Sequence, residues 1–274
     1  MDKDVAVVIG VGGMGLAIAR RIGSGRRLVL ADFNADTLDA AATVLRGEGH
    51  DVTTEVVDVS DAVSVRALAA AAAALGRLTH VAHTAGLSPT QAPADRILHV
   101  DLLGVAVVLE EFAPVIAPGG AGVVIASMAG HMAPGLLTAD QEKQLATVPA
   151  AELLALAALD GVDNPGHAYS LAKRANVLRV QAAAGAWGAR GGRINSISPG
   201  VISTPMGQQE LEGESGTHMR ALVDMSPTKR LGTPDDIAAA AVFLLDSQSA
   251  FITGTDLLVD GGVVATIRSL VPAS

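Results

Sequence analysis

Val5-Ala6-Val7-Val8-Ile9 is a short aliphatic run that leads straight into Gly10-Val11-Gly12-Gly13-Met14-Gly15 and then into a helical pattern through Arg21. Strand, glycine turn and helix are the implied order. Glycines at Gly10, Gly12 and Gly15 allow a tight turn and let backbone N–H groups approach a phosphate at the helix amino terminus, where the peptide dipoles favour negative charge. Asp32 ends the next apolar run, Leu28 to Ala31, 22 positions after Gly10. That spacing is close to the roughly 20 residues expected before an acid that accepts hydrogen bonds from ribose hydroxyls. Taken alone, the glycines also fit a bare packing turn; with the strand, the helix and the acid they predict a dinucleotide site.

The rest of the chain repeats this alternation. Strands are expected near Val52 to Val57, Leu78 to Ala82, Gly122 to Ala126, Arg193 to Ile197 and Asp256 to Val259, and long helices over Asp61 to Leu75 and Ala94 to Ile116. Short Val/Ile/Leu runs between Ala-rich helices predict an α/β fold, a single-domain doubly wound parallel sheet of about seven strands over residues 1–274. Ligands in such sheets sit at the carboxyl ends of the strands. From Met132 to Asn164 the pattern breaks into a Leu/Ala-rich stretch punctuated by Pro134 and Pro149, where two short helices are expected. Its ends, near Ser127 and Tyr169, make it a candidate lid or pocket wall, with surface decoration or an oligomer contact as the other reading. The segment from Gly207 to Gly216 reads as polar and flexible.

Composition excludes several function classes. A net charge of -9 with no basic stripe repels phosphate polymers, so nucleic acid is not expected as a partner. Zero cysteines remove disulfides, thiolate metal sites and thiol nucleophiles together, which suits a reducing, cytoplasmic setting. No apolar run approaches the roughly 20 residues that span a bilayer, and no signal peptide is evident. The seven histidines are scattered, and His80 and His83 point to opposite faces of one strand, so no metal site is expected.

The only tyrosine, Tyr169, stands four residues before Lys173. On a helix this puts a phenol and an ammonium on one face, where the cation lowers the phenol pKa and makes it a usable acid or base. The pairing points to proton transfer at a carbonyl or alcohol. Asp32 would repel a 2′-phosphate, and Phe33 and Asn34 after it offer no cation, so NAD is expected over NADP unless Arg20, Arg21, Arg26 or Arg27 reaches round.

Together with Asp58-Val59, Ala85-Gly86, Ser127 before Met128-Ala129-Gly130, Pro199-Gly200, Thr204-Pro205-Met206 and Asp260-Gly261-Gly262, these motifs resemble the short-chain dehydrogenase/reductase family over nearly the whole chain. The long interval from Ser127 to Tyr169 resembles the bacterial 3-alpha-hydroxysteroid dehydrogenase/carbonyl reductase branch. The resemblance implies a Rossmann fold with Tyr169 as acid/base, Ser127 hydrogen-bonding the same substrate oxygen, and Lys173 holding the nicotinamide ribose. It places cofactor contacts at Gly10, Gly12, Gly13, Met14, Gly15, Asp32, Phe33, Asp58, Val59, Ala85, Gly86, Pro199, Gly200, Ile202 and Thr204. It further implies a homodimer or homotetramer.

The chain departs from the family at three places. Ile9 and a shortened loop replace the usual threonine-led glycine turn, and Thr84-Ala85-Gly86 replaces Asn-Ala-Gly. Asp101 stands where an asparagine usually completes a proton relay. Asp101 is therefore either a relay member, stabilising the ammonium while raising the Tyr169 pKa, or a helix-packing carboxylate. Leucines of the insertion, with Met206, Leu211, Met219 and Leu222, suggest walls for an apolar secondary alcohol or ketone, alicyclic or steroid-like. His131 and His167 flank the insertion as candidate substrate contacts. Two rivals remain: a catalytically weak NAD-binding sensor or scaffold of the same fold, and a methyltransferase, which has no use for the Tyr-Lys pair.

Overall fold

The computed structural model describes residues 3–132, 137–213 and 215–270. Seven strands, β1 (Val5–Ile9), β2 (Arg27–Asp32), β3 (Asp51–Val56), β4 (Leu78–His83), β5 (Ala121–Ile125), β6 (Arg193–Pro199) and β7 (Asp256–Val259), form one sheet in the order β3-β2-β1-β4-β5-β6-β7. Every pairing is parallel. The chain therefore reverses direction across the sheet between β1 and β4, and a crevice opens there at the strands' carboxyl ends.

Strand periodicity explains both cores. Val5, Val7 and Ile9 of β1 point to one face, and Ala6 and Val8 to the other; all five are fully buried. On the second face lie α1 (Gly13–Ile22), α2 (Ala35–Gly47) and, later in the chain, the helix Pro234–Leu245; on the first lie α3 (Ala62–Ala74) and the helices that follow β4 and β5. A sheet covered on both sides favours continuous apolar strands, and β1 and β5 are apolar and buried throughout, while the edge strand β3 is polar and only partly covered.

The helix expected over Ala94 to Ile116 is interrupted. It starts as α4 (Ala94–Ile97), passes through a π-helical turn at Leu98–Leu103 and resumes as α5 (Gly104–Phe112). The wider turn carries Asp101, fully buried, toward the centre of the molecule. Such turns recur at functional sites because they displace one side chain from the regular helical face.

The described part of the insertion forms α6 (Ala139–Thr147) and α7 (Ala150–Leu153), the former opened by a reciprocal Thr138–Gln141 cap. Leu145 and Leu153 are fully buried against the long helix α8 (Pro165–Gly188) and α5. Arg179 of α8 fastens the segment, donating to the Leu145 and Val148 carbonyls at 2.9 Å each and to Glu110 Oε1 at 3.2 Å, while the Ala150 N–H donates to the same Glu110 oxygen at 2.8 Å. Residues 133–136 of the expected lid lie outside the described residues. After β6 come α9 (Pro205–Glu212), α10 (Gly216–Met225), α11 (Pro234–Leu245) and, after β7, α12 (Val263–Leu270). The stretch read as flexible thus begins with a helix: Thr204 caps it by accepting from the Gly207 N–H at 3.0 Å, and Pro205 fits its first turn. No helix among the described residues is long and apolar enough to cross a membrane.

Candidate active site

At the crevice the glycine turn makes a cradle. Gly10 adopts φ +86°, a conformation that glycine reaches without strain, and a Cβ at Gly15 would overlap the Gly10 carbonyl oxygen. A Cβ at Gly12, by contrast, would meet nothing within 4 Å. That empty space lies before the amino terminus of α1, which has no side-chain cap and no acid in its first turn. Its N–H groups are left for an outside acceptor, an arrangement that fits a pyrophosphate. The shortened loop still closes because Asp32 Oδ2 accepts from the Val11 N–H at 2.8 Å, while Oδ1 accepts from Asn34 N–H at 2.9 Å.

The cleft here has a volume of about 510 Å³, and the glycine turn, Asp32, Phe33, Asp58, Val59, Ala85, Gly86 and Thr204 all line it. Asp58 accepts from the Ser60 N–H and hydroxyl at 2.9 and 2.6 Å, which fixes the loop beside Val59. Thr84 takes over a tie between strands: its hydroxyl donates to the Gly10 carbonyl at 2.6 Å. His83, one residue earlier, is fully buried with neither ring nitrogen partnered, and burial pushes its pKa down to about 3. The four arginines that were candidates to reach Asp32 are engaged elsewhere: Arg20 with Glu48 at 2.7 Å, Arg21 with Asp235 at 3.1 Å, Arg26 with the Ile22 carbonyl at 2.9 Å and Arg27 with the Leu75 carbonyl at 3.1 Å.

A second, smaller cavity of about 90 Å³ adjoins the cleft, sharing Met14, Thr84, Gly86, Thr204 and Met206 with it. Ser127, Tyr169, Lys173, Asp101, Pro199, Gly200 and Ile202 line this inner chamber. Ser127 follows β5 in extended conformation and caps a short turn by accepting from the Ala129 N–H at 3.2 Å. Tyr169 and Lys173 sit one turn apart on α8, with the ammonium 5.4 Å from the ring centroid. Lys173 Nζ donates to the Ile125 carbonyl at 3.2 Å and stands 3.0 Å from Asp101 Oδ2, and Asp101 Oδ1 accepts from the Leu87 N–H at 2.8 Å. The aspartate and the ammonium therefore meet directly, with both side chains 5 % exposed or less.

The electrostatics differ from the simple pair expectation. Burial raises the Tyr169 pKa, Lys173 and the Ser127 hydroxyl oppose it, and Asp101 and Glu210 add to it; the net direction is upward. Lys173 alone does not win, because the phenolate would lose more hydration than one neighbouring cation restores. At neutral pH the phenol is protonated and placed to donate. Burial also pushes the Asp101 carboxyl up against the opposing pull of Lys173; for the ammonium, burial's downward push is overcome by Asp101 and Tyr169.

Other expected contacts fall elsewhere. His131 is engaged with Asp256 at 2.7 Å and Ser198 at 3.2 Å, bridging the turn after Ser127 to β6 and β7, and His167 is exposed in the first turn of α8. Neither lines the inner cavity, nor does any described residue of 137–164. Met206 and Met219 do, whereas Leu222 is buried with Met128 and Val201 in a small core beyond. Sequence reasoning missed Glu210, which lines the chamber from α9. Its signal was a four-residue interval from Met206, one turn of helix, hidden because the segment was read as flexible. No group of acidic and histidine side chains suited to a metal occurs among the described residues.

Comparison with known proteins identifies the family and the fold. Residues 4–139 match the short chain dehydrogenase family model, and residues 146–264 match the model described as enoyl-(acyl carrier protein) reductase. The chain is 40% identical to the short-chain dehydrogenase/reductase bsc3 of Alternaria brassicicola, over 97% of each chain. It is 33% identical to D-threitol dehydrogenase of Mycolicibacterium smegmatis, covering 96% of this chain and 93% of that one. A solved short-chain dehydrogenase/reductase from Serratia marcescens superposes with a TM-score of 0.75 at 24% identity, covering 95% of this chain and 98% of its own. By its motifs, its sheet and these relatives, the chain belongs to the short-chain dehydrogenase/reductase family, and it is an oxidoreductase of that fold.

Proposed function

We propose that the protein is an NAD-dependent dehydrogenase/reductase that interconverts a secondary alcohol and its ketone, with Tyr169 as the acid/base. The observation that carries this reading is the meeting of Ser127, Tyr169 and Lys173 around one small chamber that opens into the cradle of the glycine turn. The bound dinucleotide would supply or accept the hydride. Ser127 and Tyr169 would hold the reacting oxygen, and the phenol would donate its proton in reduction or, as phenolate, take the alcohol proton in oxidation. Lys173, held by Asp101 and the Ile125 carbonyl, would orient the ribose and stabilise the phenolate. Asp101 would act by keeping that ammonium charged and in place.

Preference for NAD rests on Asp32 in the wall of the cleft and on the engagement of Arg20, Arg21, Arg26 and Arg27 by other partners. Met14, Leu87, Met206 and Met219 favour a substrate with a largely apolar body. The name of the threitol-oxidising relative is consistent with alcohol chemistry.

The test is turnover of a panel of secondary alcohols and ketones with NAD(H) and NADP(H) in parallel, alongside Tyr169→Phe. The expected variant loses about 10²-fold or more in kcat while NADH fluorescence titration shows unchanged binding. Turnover by Tyr169→Phe within fivefold of the parent, or a higher kcat/KM with NADP, overturns the respective half of the proposal.

A further inference from the structure

We propose that Glu210 determines substrate choice by accepting a hydrogen bond from a second hydroxyl of the substrate, one that is not the reacting oxygen. The inference rests on the oxidoreductase reading above and extends it from an apolar alcohol to an apolar-bodied diol or hydroxyketone.

Three observations converge on this carboxylate. It stands on α9, in the wall of the chamber that contains Ser127 and Tyr169. It forms no ion pair with any described residue. Its surroundings include Met206 and Met219, which offer it no hydrogen bond. Burial pushes the Glu210 carboxyl up, with the Ser88 hydroxyl as the opposing influence, and that hydroxyl is itself shared with Thr90 at 2.8 Å. A half-buried carboxylate without a cation partner is stabilised by any ligand that brings a donor. A neutral hydroxyl supplies the donor without carrying a further charge into a chamber that already holds Lys173 and Asp101. Glu210 and Tyr169 line the same chamber, and the carboxylate adds to the upward push on the Tyr169 pKa.

The experiment compares cyclohexanol with cyclohexane-1,2-, 1,3- and 1,4-diols, as substrates with NAD and as ligands of the NAD-loaded Tyr169→Phe protein by calorimetry. Because a hydrogen bond to a charged group discriminates strongly, the parent is expected to prefer one diol by about tenfold or more. Glu210→Leu should bring that ratio close to one, and Glu212→Gln, exposed on the same helix, should preserve it. A purely structural role would lower both substrates together and leave the ratio intact. An unchanged ratio in Glu210→Leu, or no diol preference in either assay, overturns the inference. Turnover of all four alcohols without a Glu210-dependent ratio refutes this inference alone. Glu210-dependent diol binding without turnover by the parent refutes the proposed alcohol–ketone chemistry at Tyr169 alone.

Discussion

Asp101 and Lys173 form a buried pair whose worth can be measured. At 3.0 Å separation and an effective dielectric of about 20, the attraction between unit charges is about 5 kcal/mol. Removing one member of such a pair typically costs about 3–5 kcal/mol, because the other is left charged and desolvated, whereas removing both costs far less than the sum. Asp101→Asn keeps an oxygen for the Leu87 N–H but takes away the charge; Lys173→Met takes away the ammonium. Urea unfolding of the parent, both single variants and the double variant at pH 7, without cofactor, gives the coupling energy directly. The expected value is about 3 kcal/mol or more. A coupling below about 1 kcal/mol, typical of exposed pairs, would refute the view that the aspartate holds the ammonium, and with it Asp101's place in the site.

Two further outcomes follow from the same geometry. Gly15→Ala should lower NADH affinity at least about tenfold and destabilise the fold by about 1–3 kcal/mol, since its Cβ would overlap the Gly10 carbonyl and stand 2.7 Å from the Thr84 hydroxyl; parent-like binding by fluorescence titration would contradict the cradle. His83, with a folded pKa pushed from 6.5 to about 3, contributes almost no pH dependence above about pH 7.5. As pH falls below 6.5 the unfolded chain takes up the proton first, so stability drops by about 2 kcal/mol between pH 6.5 and 5. His83→Leu should remove that part of the acid slope, and thermal melts across this range with an unchanged slope would show that the ring is not buried neutral.

Much of the molecule was legible because its signals are local. The apolar run of β1, the glycines at 10, 12 and 15, and Asp32 lie within one strand–helix–strand unit, where each residue's neighbours in sequence decide its conformation. The spacing of Tyr169 and Lys173 likewise needs only a helix. Strand ends shifted by a residue or so, as at β2 and β3, since terminal hydrogen bonds rather than side-chain pattern decide where a strand stops.

The amino-acid order by itself determined the parallel sheet, the glycine turn and the Tyr169–Lys173 spacing, since periodicity and turn chemistry are written into consecutive residues. Only the tertiary structure decided what surrounds that pair. The π turn that carries Asp101 to Lys173 leaves no mark on a 3.6-residue repeat. The insertion's leucines could have faced the substrate, but the described ones join the core around α5 and α8, where Arg179 and Glu110, far off in sequence, supply partners for the segment's backbone. The direction of the Tyr169 shift, and Glu210's place in the chamber wall, depend on how much water packing excludes, which is a property of the assembled fold.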